Sequence, residues 1–294
     1  MIGLVTATTI ESLDTDLPLL VDAFERAGQP VRTLAWDDPT VDWTELDLAV
    51  LRSTWDYPHR HDEFLDWVER VASATRLWNP PPAVRWNIDK GYLAALGGDG
   101  VPVVPTTFVP PGSSVEESGL VADPEAAFVV KPSVAAGALG AGRHRGVDVA
   151  ARVAELHAEG RTAMVQPYLD GIDRGGETVL VYIGDGESLR FSHAVSKGAI
   201  LAREIELEGG LVAVEQIDDH RPTDAERAVG DAVLATPAVR RLGPLAYARV
   251  DLAPTSSGPV VLELELIEPS LHLGRAPGAA DQAVACWGRL ETGR

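Results

Sequence analysis

The sequence predicts a chain of α/β to α+β class that starts with an open, mostly parallel sheet and ends in a mixed one. Three observations lead there. Strand-like and helix-like segments follow one another in βαββα order over roughly the first 80 residues, the order that builds a parallel sheet. A proline run, Asn79-Pro80-Pro81-Pro82, then interrupts the chain. Beyond it, the last third is rich in strand-like segments with only two long helical ones between or after them.

Taken in order, residues 2–7 are an apolar strand. Residues 16–27 read as an amphipathic helix with Leu19, Leu20, Ala23 and Phe24 on one face and Gly28 just past its end. Residues 31–36 and 46–51 are two more strands. The second is nearly all apolar, the mark of a central strand covered on both faces. A helix over 62–74 completes the unit, and the prolines mark a boundary. A helix over about 87–96 follows and stops at Gly97-Gly98. Strands at 103–109 and 128–131, a glycine- and alanine-rich loop and a helix over 147–158 come next. Strands at 163–169, 177–183, 189–196, 245–252 and 260–267 fill the rest, with helices near 223–239 and 279–290.

The bulk numbers narrow the function. At 294 residues the chain suits two or three subdomains, and 45% apolar with 23% charged residues is an ordinary globular composition. A net charge of −19 argues against binding duplex DNA or RNA, which takes dense Lys/Arg patches, but leaves room for one nucleotide held by a few local cations. The single cysteine, Cys286, allows no internal disulfide. No stretch approaches the roughly 20 apolar residues that span a bilayer, so a cytoplasmic protein is expected. Of 25 basic residues only three are lysines: Lys90, Lys131 and Lys197. An ammonium is a compact point charge suited to single phosphate oxygens, so each of the three is a candidate phosphate contact.

Four segments carry chemistry. Lys131 ends a strand and leads into a loop of small residues, Ala136 to Gly142, that includes Gly137 and Gly140. Small residues let backbone amides approach phosphate oxygens, although such a loop is also an ordinary connector. No Gly-Lys-Ser/Thr is present, so it is not a Walker A loop. In the strands at 245–252 and 260–267, alternation puts Arg249 and Asp251 on one face and Glu263 and Glu265 on one face. Carboxylates two residues apart repel, so one of the two glutamates should have a raised pKa. The acids converging from adjacent strands suit Mg²⁺; a solvated edge hairpin is the competing explanation. Gln166, Tyr168 and Leu169 end another strand, and Glu177 follows eight residues after Leu169. Such a segment can present backbone groups to an adenine and a carboxylate to a ribose, or be a plain strand and turn. Residues 51–57 (LRSTWDY) lie at the carboxyl end of the expected central strand, where ligands of open parallel sheets collect. Arg52, Ser53, Trp55 and Asp56 are therefore candidates for holding a small acid, with Arg52 forking its carboxylate.

In this order and spacing the motifs resemble the ATP-grasp superfamily over nearly the whole chain. The Gln-x-Tyr-Leu and Glu-x-Glu segments are similar to glutathione-synthetase-like ligases. Residues 51–57, 85–90 (RWNIDK) and 262–271 (LELELIEPSL) look closest to the cycloserine-forming O-ureido-D-serine cyclo-ligases. The resemblance implies an ATP-grasp fold with an N-terminal α/β substrate-side domain (1–84), a central lid subdomain (85–165) and a C-terminal mixed-sheet subdomain for metal and nucleotide (166–294). It further implies ATP with two Mg²⁺ ions, a small amino-acid-like substrate, a homodimer and a place in antibiotic biosynthesis. Lys90, Lys131, Ala136, Gly137 and Gly140 would hold the phosphates; Gln166, Tyr168 and Leu169 the adenine; and Glu177 the ribose. Asp251, Glu263 and Glu265 would hold metal, with Glu265 standing where many members carry Asn. Arg249 would face the transferring phosphate, and Lys197 sits where members often carry a basic residue. The implied reaction activates a carboxylate as an acyl phosphate that a ureido nitrogen attacks within the same molecule. An intermolecular carboxylate–amine ligase, a phosphotransferase and a non-catalytic nucleotide-binding regulator are the competing expectations.

Overall fold

The computed structural model describes every residue except 121–122, 138, 202–206, 209–211, 214 and 293–294, and the backbone alone of 207–208, 212–213 and 290–292. Ala138, inside the expected glycine-rich loop, therefore lies outside the described residues.

Strands β1 (Ile2–Thr6), β2 (Val31–Ala35), β3 (Leu48–Ser53) and β4 (Arg76–Trp78) form one fully parallel sheet in the order β2-β1-β3-β4. As expected, β3 is central. Helix α1 (Asp16–Arg26) covers one face, with Leu17, Leu20 and Phe24 packed on Ile2, Leu4, Leu48 and Val50. Helix α2 (His61–Ala74) covers the other, with Phe64, Trp67 and Val71 against Val5, Ala49 and Leu51. Leu19 departs from expectation. It is 36% exposed, because the stripe facing the sheet runs through Leu17, Leu20 and Phe24 and Leu19 falls outside it. The short edge strand β4 went unseen because three residues show no alternation.

The proline run does not only break structure. Pro81 starts helix α3 (Pro81–Asn87), where a missing N–H costs nothing because first-turn amides have no helical partner. The single helix expected over 87–96 is thus two helices, α3 and α4 (Tyr92–Gly98), and Lys90 sits in the break between them.

A second sheet holds β5 (Thr107–Val109), β6 (Ala127–Pro132), β7 (Gly142–Arg145) and β8 (Ala163–Pro167) in the antiparallel order β5-β8-β6-β7. Helix α5 (Gly146–Ala158) packs Val149, Val153 and Leu156 on it. Strand β7 was missed because Gly-Arg-His-Arg carries no apolar residue to betray it. Helix α6 (Asp170–Gly175) leads to the third sheet, built from β9 (Glu177–Gly184), β10 (Leu189–Lys197), β13 (Ile217–Asp219), β14 (Tyr247–Thr255) and β15 (Gly258–Glu265). Its order is β13-β10-β9-β14-β15, all antiparallel, and β11 (Leu207–Glu208) and β12 (Val212–Ala213) pair separately.

The helix expected over 223–239 is split by Pro237 into α7 (Asp224–Ala235) and α8 (Pro237–Arg240), and Thr223 opens α7 with a capping box. These two helices bury Leu180, Tyr182, Ala248 and Val250 on one face of the sheet. Helix α9 (Ala279–Thr292) buries Val179, Val181 and Tyr247 on the other and joins that core to α1. Among the described residues no helix is long and apolar enough to cross a membrane.

The sheet tolerates nothing at Gly184. A Cβ there would lie 1.9 Å from the Leu245 carbonyl oxygen on the neighbouring chain segment, so backbone must move. Gly184→Ala is expected to destabilise the protein by about 2 kcal/mol or more, read as a lower urea midpoint at unchanged m-value.

Candidate active site

Alternation along β6 turns Phe128 and Val130 onto α5 and leaves Val129 and Lys131 on the opposite face, where they line a cleft between the second and third sheets. The Lys131 ammonium makes no ion pair or hydrogen bond with any described residue, and burial pushes its pKa down. Lys90 faces the same cleft. Its backbone N–H donates to Ser133 O at 2.9 Å, and the Asp89 carboxylate accepts from the Ser133 hydroxyl at 2.8 Å, tying the α3–α4 break to the loop after β6. The Lys90 ammonium donates to Ala135 O at 2.6 Å and pairs with Glu263 at 2.9 Å. Burial disfavours its charge, but Glu263 outweighs burial and the pKa is raised.

The expected hinge residues also line the cleft. Gln166 is buried and donates from Nε2 to Thr106 Oγ1 at 2.9 Å; the Tyr168 N–H donates to Ala127 O at 2.8 Å; Leu169 caps α6. Ala136 and Gly137 line it from the loop, and Gly137 uses its freedom at φ +62°. Gly140 does not reach the cleft: its carbonyl accepts from Arg152 at 3.0 Å and its Cα faces Pro132, so the expected phosphate contact is withdrawn for that residue.

The two charged strands pair in register, Arg249 opposite Glu265 and Asp251 opposite Glu263. Arg249 forks onto Asp251 with two 2.9 Å hydrogen bonds and also bonds Glu265. Lys197 donates to Asp251 at 3.0 Å and pairs with Glu177 at 2.8 Å, its register partner on β9. Burial alone would raise the Asp251 pKa, yet Arg249 and Lys197 outweigh it and hold the carboxyl well below the usual range. One of the two glutamates is raised, as the sequence implied, but burial and not their mutual repulsion is the main cause. Burial, with the charges of Asp251 and Glu263 reinforcing it, pushes Glu265 up to about 7. Glu263, beside Lys90 and Lys131, is lowered despite its burial.

Among the described residues no three acids or histidines are arranged to hold a metal by themselves. That fits Mg²⁺ all the same, because this ion takes one or two carboxylates and completes its shell with phosphate oxygens and water. Glu263 and Glu265 line the cleft, whereas Asp251 lies behind them at 1% exposure; as hard oxygen donors neutralised by lysine and arginine they have the right chemistry.

The N-terminal candidates divide. Trp55 lines the cleft and donates from Nε1 to Glu268 O at 2.7 Å. Arg52, Ser53 and Asp56 do not line it, which corrects the expectation that they hold a substrate. Strand β3 runs two residues further than expected, so Arg52 and Ser53 are still inside it and point into packed layers. Arg52 shares the face of Leu48 and Val50, is 0% exposed, lies 5.3 Å from the Tyr247 ring centroid, donates to Pro269 O at 2.9 Å and sits 3.8 Å from Asp16. The Ser53 hydroxyl donates to Thr6 Oγ1 at 2.9 Å. Asp56 turns to α2 and accepts from Trp36 Nε1 at 2.8 Å and from Arg60 at 3.4 Å.

Six polar cleft residues escaped sequence reasoning: Tyr57, Asn87, Tyr92, Glu215, Glu268 and Ser270. Tyr57 closes the quoted LRSTWDY segment, and Glu268 and Ser270 lie past the end of β15, where strand alternation no longer reports direction.

Residues 2–79 match the family described as the N-terminal domain of the D-cycloserine synthetase DcsG. The cycloserine biosynthesis protein DcsG of Streptomyces lavendulae is 42% identical over 287 residues, 93% of each chain. The crystal structure of D-cycloserine synthetase DcsG superposes with a TM-score of 0.87 at 37% identity and covers 99% of each chain. An ATP-grasp RimK domain protein from Sphaerobacter thermophilus shares the fold, with a TM-score of 0.68 at 16% identity over 97% of this chain and 99% of the other.

Proposed function

The chain belongs to the D-cycloserine synthetase family of ATP-grasp ligases, and from that premise we propose that it activates the carboxylate of O-ureido-D-serine with ATP and closes the ring of D-cycloserine. The observation that carries this reading is the in-register set of Arg249, Asp251, Glu263 and Glu265, of which all but the buried Asp251 line the cleft together with Lys131, a cation that makes no ion pair with a described residue. Cations that lack a fixed partner beside acids held in place are what a phosphate group with its metal requires.

In this reading residues 85–165 act as the lid, 1–84 as the substrate side, and 166–294 as the part that holds metal and nucleotide. Gln166, Tyr168 and Leu169 hold the adenine, Glu177 the ribose, and Lys90, Lys131, Ala136 and Gly137 the phosphates. Asp251, Glu263 and Glu265 hold Mg²⁺, two ions in the fullest form, and Mg²⁺ when bound neutralises charge on the phosphates. Arg249, with Lys197 behind it, faces the oxygens of the phosphoryl group as it passes to the substrate carboxylate. Trp55 walls the substrate end. The ureido nitrogen then attacks the acyl carbon and phosphate leaves; its carbamoyl group is lost with one water as carbon dioxide and ammonia. Excluding other water from the acyl phosphate is the task of the lid. A cytoplasmic location and a homodimer accompany the reading, the latter checked by analytical ultracentrifugation.

The test is ADP and phosphate release from ATP, Mg²⁺ and a panel of small amino acids that includes O-ureido-D-serine. Release with that acid alone, abolished in an Asp251→Asn, Glu263→Gln double variant that still binds ATP, is the expected result. A requirement for a second amine would move the assignment to an intermolecular ligase. ADP without free phosphate would indicate a phosphotransferase, and ATP binding without turnover a regulator.

A further inference from the structure

The ring-closing step needs a proton acceptor. The attacking nitrogen carries a hydrogen that must leave as the C–N bond forms. No histidine or cysteine lines the cleft among the described residues, which leaves carboxylates, lysines and tyrosines. Most of these are already engaged. Glu265 is bonded by Arg249, Glu263 by Lys90, and Glu177 by Lys197. Glu215 also has Lys197 at 3.8 Å. Glu268 is the exception: among the described residues it is the cleft carboxylate with no cation within ion-pair distance.

We propose that Glu268, oriented by the Tyr57 hydroxyl, takes the proton from the nitrogen that attacks the acyl phosphate. This rests on the reading of the cleft as a carboxylate-activating site. Three features of its position carry the assignment. The chain from Glu268 to Leu273 is clamped against the N-terminal sheet: Trp55 Nε1 donates to Glu268 O at 2.7 Å, Arg52 to Pro269 O at 2.9 Å, and the Leu271 and Leu273 N–H groups to the Asp16 carboxylate at 2.7 Å each. The Glu268 carboxyl has the Tyr57 hydroxyl as a neighbour, and the Tyr57 ring stacks on Phe64 at 5.1 Å, so the acid stands against a rigid support. Two residues on, Ser270 O accepts from the Arg249 guanidinium at 3.2 Å, which places the acid on the segment that borders the group facing the acyl phosphate.

The surroundings suit a proton acceptor better than an anchor for a substrate ammonium. Burial, reinforced by the charge of Glu265 and opposed by Lys90 and Tyr57, pushes Glu268 up to about 8, near the pH at which a base both accepts and releases protons. An ammonium anchor would call for a carboxylate kept charged. In the step, the nitrogen lone pair forms the bond to the acyl carbon and the bond from that carbon to the phosphate oxygen breaks. Phosphate leaves with that electron pair, and the N–H proton passes to a Glu268 carboxylate oxygen.

The experiment measures the two half-reactions separately in wild type, Glu268→Gln and Tyr57→Phe, with ATP, Mg²⁺ and O-ureido-D-serine. Acyl phosphate formation is read as ADP in a single rapid-quench turnover and as hydroxamate trapped by hydroxylamine; closure is read as D-cycloserine. For Glu268→Gln the expected result is closure slowed by about 10²-fold or more, with the first-turnover ADP rate and the KM for the acid within a few-fold of wild type. Tyr57→Phe should show a smaller loss confined to the same step, and serves if Glu268→Gln does not fold. Loss of both half-reactions with a raised KM would overturn the proposal in favour of a substrate anchor, and closure at the wild-type rate in Glu268→Gln would overturn it outright. Wild-type closure alongside that second outcome leaves the function standing, whereas a wild type that forms no ADP with the acid overturns both.

Discussion

Lys131→Met is expected to lower kcat/KM for ATP by about 10²- to 10³-fold, as the loss of one preorganised charge contact to a transferring group typically does, while leaving the folded protein no less stable. The two effects have one cause. Lys131 is carried into the cleft by the alternation of β6, with Phe128 and Val130 fixed on α5 behind it. No described residue forms an ion pair with it, and burial outweighs the favourable charge of Glu263. Without phosphate that charge is a standing cost to the fold; with phosphate it becomes a contact. A methionine of similar length removes both. The sign can be followed with pH. The folded pKa is lowered from 10.5, so the wild-type deficit relative to Lys131→Met should be complete below the folded value. It should fade as pH rises from the folded value through 10.5 and vanish above it, where neither state carries the charge. Thermal melts of both proteins without nucleotide, and ATP titrations of each, check the pair of effects. Loss of stability with intact ATP kinetics would assign Lys131 to packing.

Arg52→Met is expected to cost about 3 kcal/mol of stability, the scale for removing one partner of a buried ion pair. The guanidinium is sealed at 0% exposure between the Tyr247 ring and the loop after β15, and it faces the buried Asp16 carboxylate. Burial already raises the Asp16 pKa, and Arg52 is the largest influence opposing that rise. Methionine would restore the apolar packing on Tyr247 but neither the charge nor the hydrogen bond to Pro269 O. Urea unfolding checks the stability. Kinetics separates this role from the substrate-holding one that the sequence implied: a residue that grips the substrate would, when replaced, raise KM at unchanged stability. With the loop loosened, activity should instead fall mainly through kcat, because Glu268 and Ser270 lie on the segment Arg52 holds.

The two substitutions mark where sequence reasoning works and where it stops. Alternation and helical periodicity are local properties, and they were enough for the parallel first sheet with β3 at its centre. They also placed Lys131 at the end of a strand with small residues after it. They put Arg249 with Asp251 and Glu263 with Glu265 on shared faces, and the spacing of the glutamates gave the direction of one pKa shift, although its main cause, burial, came from tertiary packing. The resemblance of the motifs then named the superfamily.

Tertiary packing decided the partners. Periodicity states which face a side chain takes, not what lies opposite, so the bond from Lys197 to Asp251, 54 residues away, could not be read from either strand alone. Whether β3 stopped at Leu51 or ran to Ser53 determined whether Arg52 met a ligand or a core, and that length depends on the helices covering the strand. Residues beyond a strand end have no period at all. Glu268 faces the cleft because Trp55, Arg52 and Asp16 hold the backbone of its segment from the N-terminal domain, more than two hundred residues earlier in the chain. The sequence by itself therefore determined the fold class and the set of charges, which arise from local patterns and residue chemistry. The pairing of those charges, and which of them stayed without a partner, was decided only when distant segments packed together.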